Sequence, residues 1–447
     1  MAEITVSRLP MDPGPAAWND ILPKANPYPA LEGNQAFDVV IIGAGFAGLS
    51  TARRLLQIDP KLAIAIVDAR RVGEGPAGRN SGFMIDLPHN LVSSDYAGDQ
   101  GHDLQQTTMN RHAISFARQA ASEYGMEAEA LQPVGKINAA AGTRGVRHNQ
   151  TYAGHLARLG EPFELLDARQ MQEICGSPYY RNGLFTPGTV MLQPALYVRR
   201  LAEGLVRDGI TILENSPVNG MRRQGNDWTA STLSGSITAG KVVLATNGHV
   251  ESFGFFERRL MHVYLYASMS APLSAEQIRT LGGTDNWAFT PSDPFGSTIR
   301  KITGGSGTRI VVRNGISWAP DRTISPTILD HMKKQHDRSF RMRFGAIADV
   351  PMQFRWGGLL CMSRNAVPAF GEIDNNLYSA CCQNGLGTAM GTLSGMATAE
   401  KLMGSDSALV RFFEGLEPPA LLPREPFLGI GARAHLRFGE FRAGREI

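Results

Sequence analysis

A chain of 447 residues is too long for one ordinary hydrophobic core, so two substantial domains are expected. Hydrophobic residues at 43% and charged residues at 19% suit a folded globular protein, and 49 glycines, well above average usage, call for tight turns or close backbone approach to a ligand. A net charge of +3 with scattered Lys and Arg argues against a nucleic-acid partner, and four irregularly spaced cysteines argue against a disulfide framework or a paired metal motif.

The N-terminal stretch MAEITVSRLPMDPGP has neither a basic start with an apolar run nor a small-residue cleavage site. No apolar stretch reaches the roughly 18 residues of a membrane-spanning helix, so a cytoplasmic protein without a membrane span is expected. Residues 1–36, rich in proline, read as an arm over the surface, pinned by Trp18 and Ile21. The run Asp38 to Ile42 is short and β-branched, as a strand buried on both faces should be. A glycine turn follows, then apolar residues at helical spacing from Ala47 to Leu56, a stop at Asp59-Pro60, and a second strand from Leu62 to Val67. That order is a βαβ unit.

Helices are expected over 103–124, 195–208 and 328–338. Strands are expected at 210–213, 228–232, 236–246, 263–269 and 310–313. The stretch 251–350 has a different texture and reads as part of a second, antiparallel domain. From about Phe427 the chain carries Arg433, Arg437, Arg442 and Arg445 among aromatics, a pattern that suits contact with a membrane or partner but reads first as a solvated tail.

Gly43, Gly45 and Gly48 form a GxGxxG between a predicted strand and a predicted helix, the context that gives the motif meaning. Gly43 permits the sharp turn, Gly45 leaves room for a pyrophosphate, and Gly48 lets helix and strand pack closely. The helix start offers backbone N–H groups to phosphate. Asp68, 20 residues beyond Gly48 at the end of the second strand, can accept hydrogen bonds from a ribose. The motif does not choose between FAD and NAD. A second glycine-rich segment follows, Gly75-Pro76-Ala77-Gly78-Arg79-Asn80-Ser81-Gly82, whose backbone can lie against a flavin and whose Arg79 can face phosphate.

These segments resemble the FAD-dependent oxidoreductases related to D-amino-acid oxidase, glycine oxidase and sarcosine oxidase, and most nearly their gamma-glutamylputrescine oxidase-like branch. The resemblance runs from about Trp18 to Gly404 through FDVVIIGAGFAGLSTA (37–52), GPAGRNSGF (75–83), QPALYVRRLAEGLVRDG (193–209), VVLATNGHV (242–250), WGGLLCMSRNAVPAFG (356–371) and NGLGTAMGTLSG (384–395). It implies FAD as cofactor and an α/β (α+β overall) fold, with a Rossmann-like FAD-binding domain and a mainly antiparallel β substrate domain. The implied FAD domain is discontinuous, 37–90, 165–250 and 355–447, with 91–164 and 251–354 forming the substrate domain.

By the same resemblance FAD would be held by Gly43, Gly45, Phe46, Ala47 and Gly48, by Asp68, Ala69 and Arg70, and by Gly75, Gly78, Arg79, Asn80, Ser81 and Gly82. Val218 would meet adenine. Ala245, Thr246, Asn247 and Gly248 would add a second strand end, and Gly385, Leu386, Gly387 and Thr388 would cross the flavin. Cys361 stands where the sarcosine-oxidase branch carries a covalent flavin link, although a small buried residue would fill the same place. Two departures stand out. Ala77 replaces a serine that reaches phosphate, and Thr388-Ala389 occupies the place of a lysine that clamps the substrate carboxylate, which disfavours sarcosine or glycine as substrate.

The implied reaction is amine oxidation. A hydride leaves the amine-bearing carbon for flavin N5, water hydrolyses the imine, and oxygen or another acceptor takes the electrons. The small-molecule amine is gamma-glutamylated or otherwise modified. A hydroxy-acid dehydrogenase and a non-catalytic flavin-holding subunit stand as alternatives. Candidate pocket residues are Tyr264, Tyr266, Arg300, Trp356, Asn384 and His89.

Overall fold

The computed structural model describes residues 3–12, 14–88, 93 and 96–447. Val39–Ile42 is buried on both faces because it lies in the middle of a parallel sheet. The strands Leu377–Cys381, Gly235–Leu244, Gly33–Ile42, Ile64–Val67 and Thr211–Leu213 lie side by side in that order, all parallel. Antiparallel strands extend the sheet: the hairpin Gly220–Gln224 and Asp227–Ser231 beside Gly235–Leu244, and Ala369–Asp374 beside Leu377–Cys381.

The helices Phe46–Ile58, Pro194–Arg207 and Ala389–Leu402 pack on this sheet. The first and third touch closely, since a Cβ on Gly395 would collide with the carbonyl of Ala47. The nearly continuous small and apolar run of Ala389–Leu402 is buried almost throughout.

A second sheet runs Met352–Ser363, Leu260–Ser270, Gly307–Trp318, Thr298–Gly304, Trp287–Pro291, Lys136–Ala140, Asn182–Thr186, Glu164–Leu166. Every neighbouring pair is antiparallel except Trp287–Pro291 with Lys136–Ala140. The fold is thus α/β, a Rossmann-like layer joined to a mainly antiparallel one.

The chain passes between the sheets at other points than the sequence suggests. Glu164–Leu166, Asn182–Thr186 and Met352–Ser363 pair in the antiparallel sheet, so 165–166, 182–186 and 355–363, expected on the dinucleotide side, serve the other one. β-pairing is non-local, and the period-two pattern of these short strands does not tell which sheet they join.

The arm is not a surface strap alone. Glu3–Thr5 adds an edge strand to Gly220–Gln224, residues 33–36 belong to a central strand, and Ala16, Ala17 and Trp18 are buried against Met269, Val311 and Trp356. The expected solvated tail is a helix, Phe427–Ala443, lying on Gly307–Trp318. Its end is locked: the buried Glu446 carboxylate accepts from Ala141 N and Gly142 N, and Arg343 Nη2 donates to Glu446 O at 2.9 Å.

Candidate functional site

A cavity of about 360 Å³ opens between the two sheets, reaching from the glycine turn to the antiparallel wall. At the turn Gly43 has φ +112°, and a Cβ there would stand 2.6 Å from Ala245 O. A Cβ on Gly48 would collide with Gly43 O, so the helix sits directly against the turn. Asp68 closes the arrangement. Its Oδ2 accepts from Ala44 N at 2.7 Å and its Oδ1 from Arg70 N at 2.8 Å. Burial pushes its carboxyl up to about 6 against those two bonds.

The helix Phe46–Ile58 begins at Gly45 with no side-chain cap, and Phe46 and Ala47 line the cavity, so its first N–H groups and the positive end of its dipole serve whatever lies there. Ala389–Leu402 begins in the same way. Thr388 Oγ1 donates to Phe83 O at 2.6 Å instead of capping its own helix.

The second glycine-rich segment forms a short 3-10 turn, Pro76–Gly78, and then a loop fixed through its carbonyls. Trp18 Nε1 donates to Asn80 O, Trp356 Nε1 to Arg79 O and Arg300 Nη1 to Ser81 O. Arg79 is spent differently from the expectation. Its guanidinium donates to the carbonyls of Glu74, Gly357 and Gly14, tying the loop to the arm and the strand Met352–Ser363 rather than standing open to phosphate.

The antiparallel wall is mostly apolar, with Ala267, Val311 and Trp356 facing the cavity. Arg313 stands among them. Its Nε is buried without a hydrogen-bond partner, and among the described residues no carboxylate pairs with it. Burial pulls its guanidinium below its usual range, opposed by the nearby Tyr96 phenol.

Residues 38–401 match the family profile described as "DAO: FAD dependent oxidoreductase". The chain belongs to this FAD-dependent oxidoreductase family. Among relatives of this DAO-family chain, the probable oxidoreductase OrdL of Haemophilus influenzae is 25% identical over 408 residues, 88% of this chain and 89% of that protein. The gamma-glutamylputrescine oxidoreductase of Escherichia coli is 22% identical, over 91% of each. Glycine oxidase from Geobacillus kaustophilus has the same fold, with a TM-score of 0.69 at 17% identity over 84% of this chain and 96% of that one.

The DAO-family cofactor, FAD, fits what the cavity offers. Two uncapped helix starts suit a pyrophosphate, Asp68 suits a ribose, and the buried Asn247 Oδ1 lacks a partner. Of the residues expected to hold FAD, all line the cavity except Gly48 and Gly78, which act behind the surface. A Cβ on Gly78 would collide with Gly73 O, so that glycine closes the turn.

The expected pocket residues divide. Tyr264, Tyr266 and Trp356 line the cavity. The Tyr264 hydroxyl donates to Arg322 O at 3.0 Å and to Met11 O at 3.2 Å, and the Tyr266 hydroxyl shares a 2.5 Å bond with Ser317 Oγ. They are walls whose polar ends are already engaged.

Arg300 is not at the cavity surface. It is sandwiched between the Trp18 and Phe83 rings and spends its N–H groups on backbone. Asn384 is also behind the surface, where its Oδ1 accepts from Ser363 N at 2.7 Å and fixes the end of that strand. His89 lies outside the described residues.

Cys361 lines the cavity and is fully buried. Desolvation and the neighbouring Cys382 push its thiol well above the usual range, which leaves it a poor nucleophile. Cys175, Cys381 and Cys382 are also free and buried.

Among the lining residues that escaped sequence reasoning, Arg313 and Asp12 carry charge. Arg313 interrupts the apolar run Ile310–Val312 and pairs with Ala267 and Thr298, so the period-two alternation of its strand was the available signal. Asp12 reaches in from the arm to 3.8 Å from both Arg70 and Arg79, and burial raises its carboxyl despite them. Nothing in the local pattern of the arm announces that contact.

Proposed function

We propose that this enzyme oxidises an amine that also carries a carboxylate, such as a gamma-glutamylated amine or an N-substituted amino acid. The observation that carries the reading is Arg313, a cation facing the cavity with an unsatisfied Nε. A buried guanidinium N–H left without an acceptor is costly, whereas a ligand carboxylate satisfies it with charge-assisted bonds. The 22% identical gamma-glutamylputrescine oxidoreductase acts on a ligand of that kind, which supports the choice.

When bound, FAD supplies the acceptor for the hydride that leaves the amine-bearing carbon. The chain does the rest by position. Arg313 fixes the carboxylate, and the apolar faces of Ala267, Val311 and Trp356 keep water scarce and favour the uncharged amine. Tyr264 and Tyr266 hold the wall rigid through their engaged hydroxyls. The Thr388-Ala389 pair places no cation at the Gly387 turn, so the charged contact is made from the sheet instead.

Anaerobic bleaching of the bound flavin tests the reading. Gamma-glutamyl amines and N-alkyl amino acids should bleach it, and neutral amines of equal length should do so far more slowly. Bleaching by 2-hydroxy acids with none by any amine would overturn the proposal in favour of a hydroxy-acid dehydrogenase. A yellow protein reduced by neither class would point to a flavin-holding subunit.

A further inference from the structure

The helix Phe427–Ala443 covers the strand Gly307–Trp318 with one side and leaves the other bare. Its inward side is small: Gly429, Gly439 and Ala443 are buried, and a Cβ on Gly439 would stand 2.5 Å from the Phe295 ring. Its outward side carries Phe427, Ile430, Phe438 and Phe441, which are 75%, 61%, 58% and 83% exposed. At the helical repeat these positions fall on one stripe about 100° wide and roughly 21 Å long. Single exposed apolar residues need no explanation, but an aligned row of them marks a surface that binds something.

The charge along the stripe is one-sided. Arg433, Arg437 and Arg442 flank it and are exposed. The acids of the same segment are turned away or engaged. Glu440 accepts from Ile316 N, Glu446 is buried beneath Ala141 and Gly142, and Glu425 accepts from Gly429 N. The helix Pro326–Arg343, whose His331 stands near Glu440, adds exposed Lys334 and Arg338 against the exposed carboxylate of Asp330.

We propose that this stripe seats the protein on an anionic membrane surface. The phenyl rings and Ile430 enter the boundary between headgroups and acyl chains while the flanking arginines meet lipid phosphates. A second copy of the chain fits less well. Antiparallel pairing would bring two arginine rows together, and the four apolar side chains, on the order of 500 Å² at these exposures, stay below the roughly 800 Å² per partner that stable dimers bury. The contact is peripheral, since no helix among the described residues is long and apolar enough to cross a membrane.

The test sediments yellow holoenzyme with vesicles of phosphatidylcholine alone or mixed with phosphatidylglycerol, at low and high salt. Binding to the anionic vesicles should be about tenfold or more above the neutral ones and should weaken with salt. The double variant Phe438→Ser/Phe441→Ser should lose it. Arg433→Gln and Arg437→Gln should each lower it roughly fivefold. All variants should keep the wild-type flavin spectrum and melting temperature. Equal binding to both vesicle types, or none to either, overturns the proposal. So does a light-scattering mass of two chains that falls to one in the double phenylalanine variant, which would make the stripe a self-contact.

Discussion

Arg300 donates from Nη1 to Ser81 O at 2.6 Å and to Leu192 O at 3.0 Å, so a buried guanidinium clamps the loop after the second glycine cluster to the strand Val190–Leu192. Burial alone pulls it down to about 9, and the Trp18 and Phe83 rings take the place of a counter-ion. A residue expected to touch substrate thus shapes the loop from behind.

Arg300→Met should therefore cost about 2–4 kcal/mol of stability, because two buried carbonyls lose their donor. The urea midpoint measures this. FAD should also dissociate faster, while the substrate KM of the protein that retains cofactor should change little.

Gly48→Ala should leave a folded protein without yellow colour. The new Cβ cannot coexist with Gly43 O, so the turn must open at a cost of about 2–4 kcal/mol, and FAD affinity should fall by at least a hundredfold. Circular dichroism like wild type together with absent flavin absorbance is the expected pair of results.

Asp68 makes FAD binding depend on pH. Its folded pKa of about 6 lies above that of the unfolded chain, so its contribution to apoprotein stability is fullest in acid and is lost as pH rises through 6. Ribose binding has the opposite sign, because the ionised carboxylate is the better acceptor. Affinity for FAD should fall by up to about tenfold per pH unit below 6, and Asp68→Asn should flatten the profile. Titration of apoprotein by flavin fluorescence reads both.

Cys361 should not hold the flavin covalently, because its thiol is buried and protonated. Acid precipitation should release all FAD into the supernatant, and Cys361→Ala should bind as much flavin as wild type. Flavin retained in the pellet would contradict this.

Arg313→Met should lower kcat/KM about a hundredfold for a carboxylated amine, roughly 2–3 kcal/mol. Its effect on a neutral amine of equal length should be small. Equal losses for both would mean that Arg313 only supports the wall.

The dinucleotide end was readable in the sequence because its physics is local. Strand, turn, helix and carboxylate follow one another within the span Asp38 to Asp68, and Gly48 answers a contact made by its neighbour Gly43, although Gly43 itself also makes room for the distant Ala245 carbonyl. The substrate end was readable only in part: Tyr264, Tyr266 and Trp356 line the cavity, but its wall is assembled from strands far apart in sequence. Ala267, Thr298 and Arg313 meet only through pairing register, which single-strand patterns do not carry. Arg300 and Arg313 illustrate the difference: both are arginines on neighbouring strands, yet the buried Arg300 is engaged by carbonyls while the half-buried Arg313 faces the cavity.

The sequence by itself determined the dinucleotide-gripping α/β layer, because strand, turn, helix and carboxylate are near neighbours, and the ordered set of family-like segments from 37 to 395 pointed to FAD. The tertiary structure alone decided that the arm is woven into both sheets, that the last residues form a docked helix with an apolar outer stripe, and which cations face the cavity. Those outcomes turn on long-range packing, where burial and the supply of backbone partners decide what a side chain is free to do.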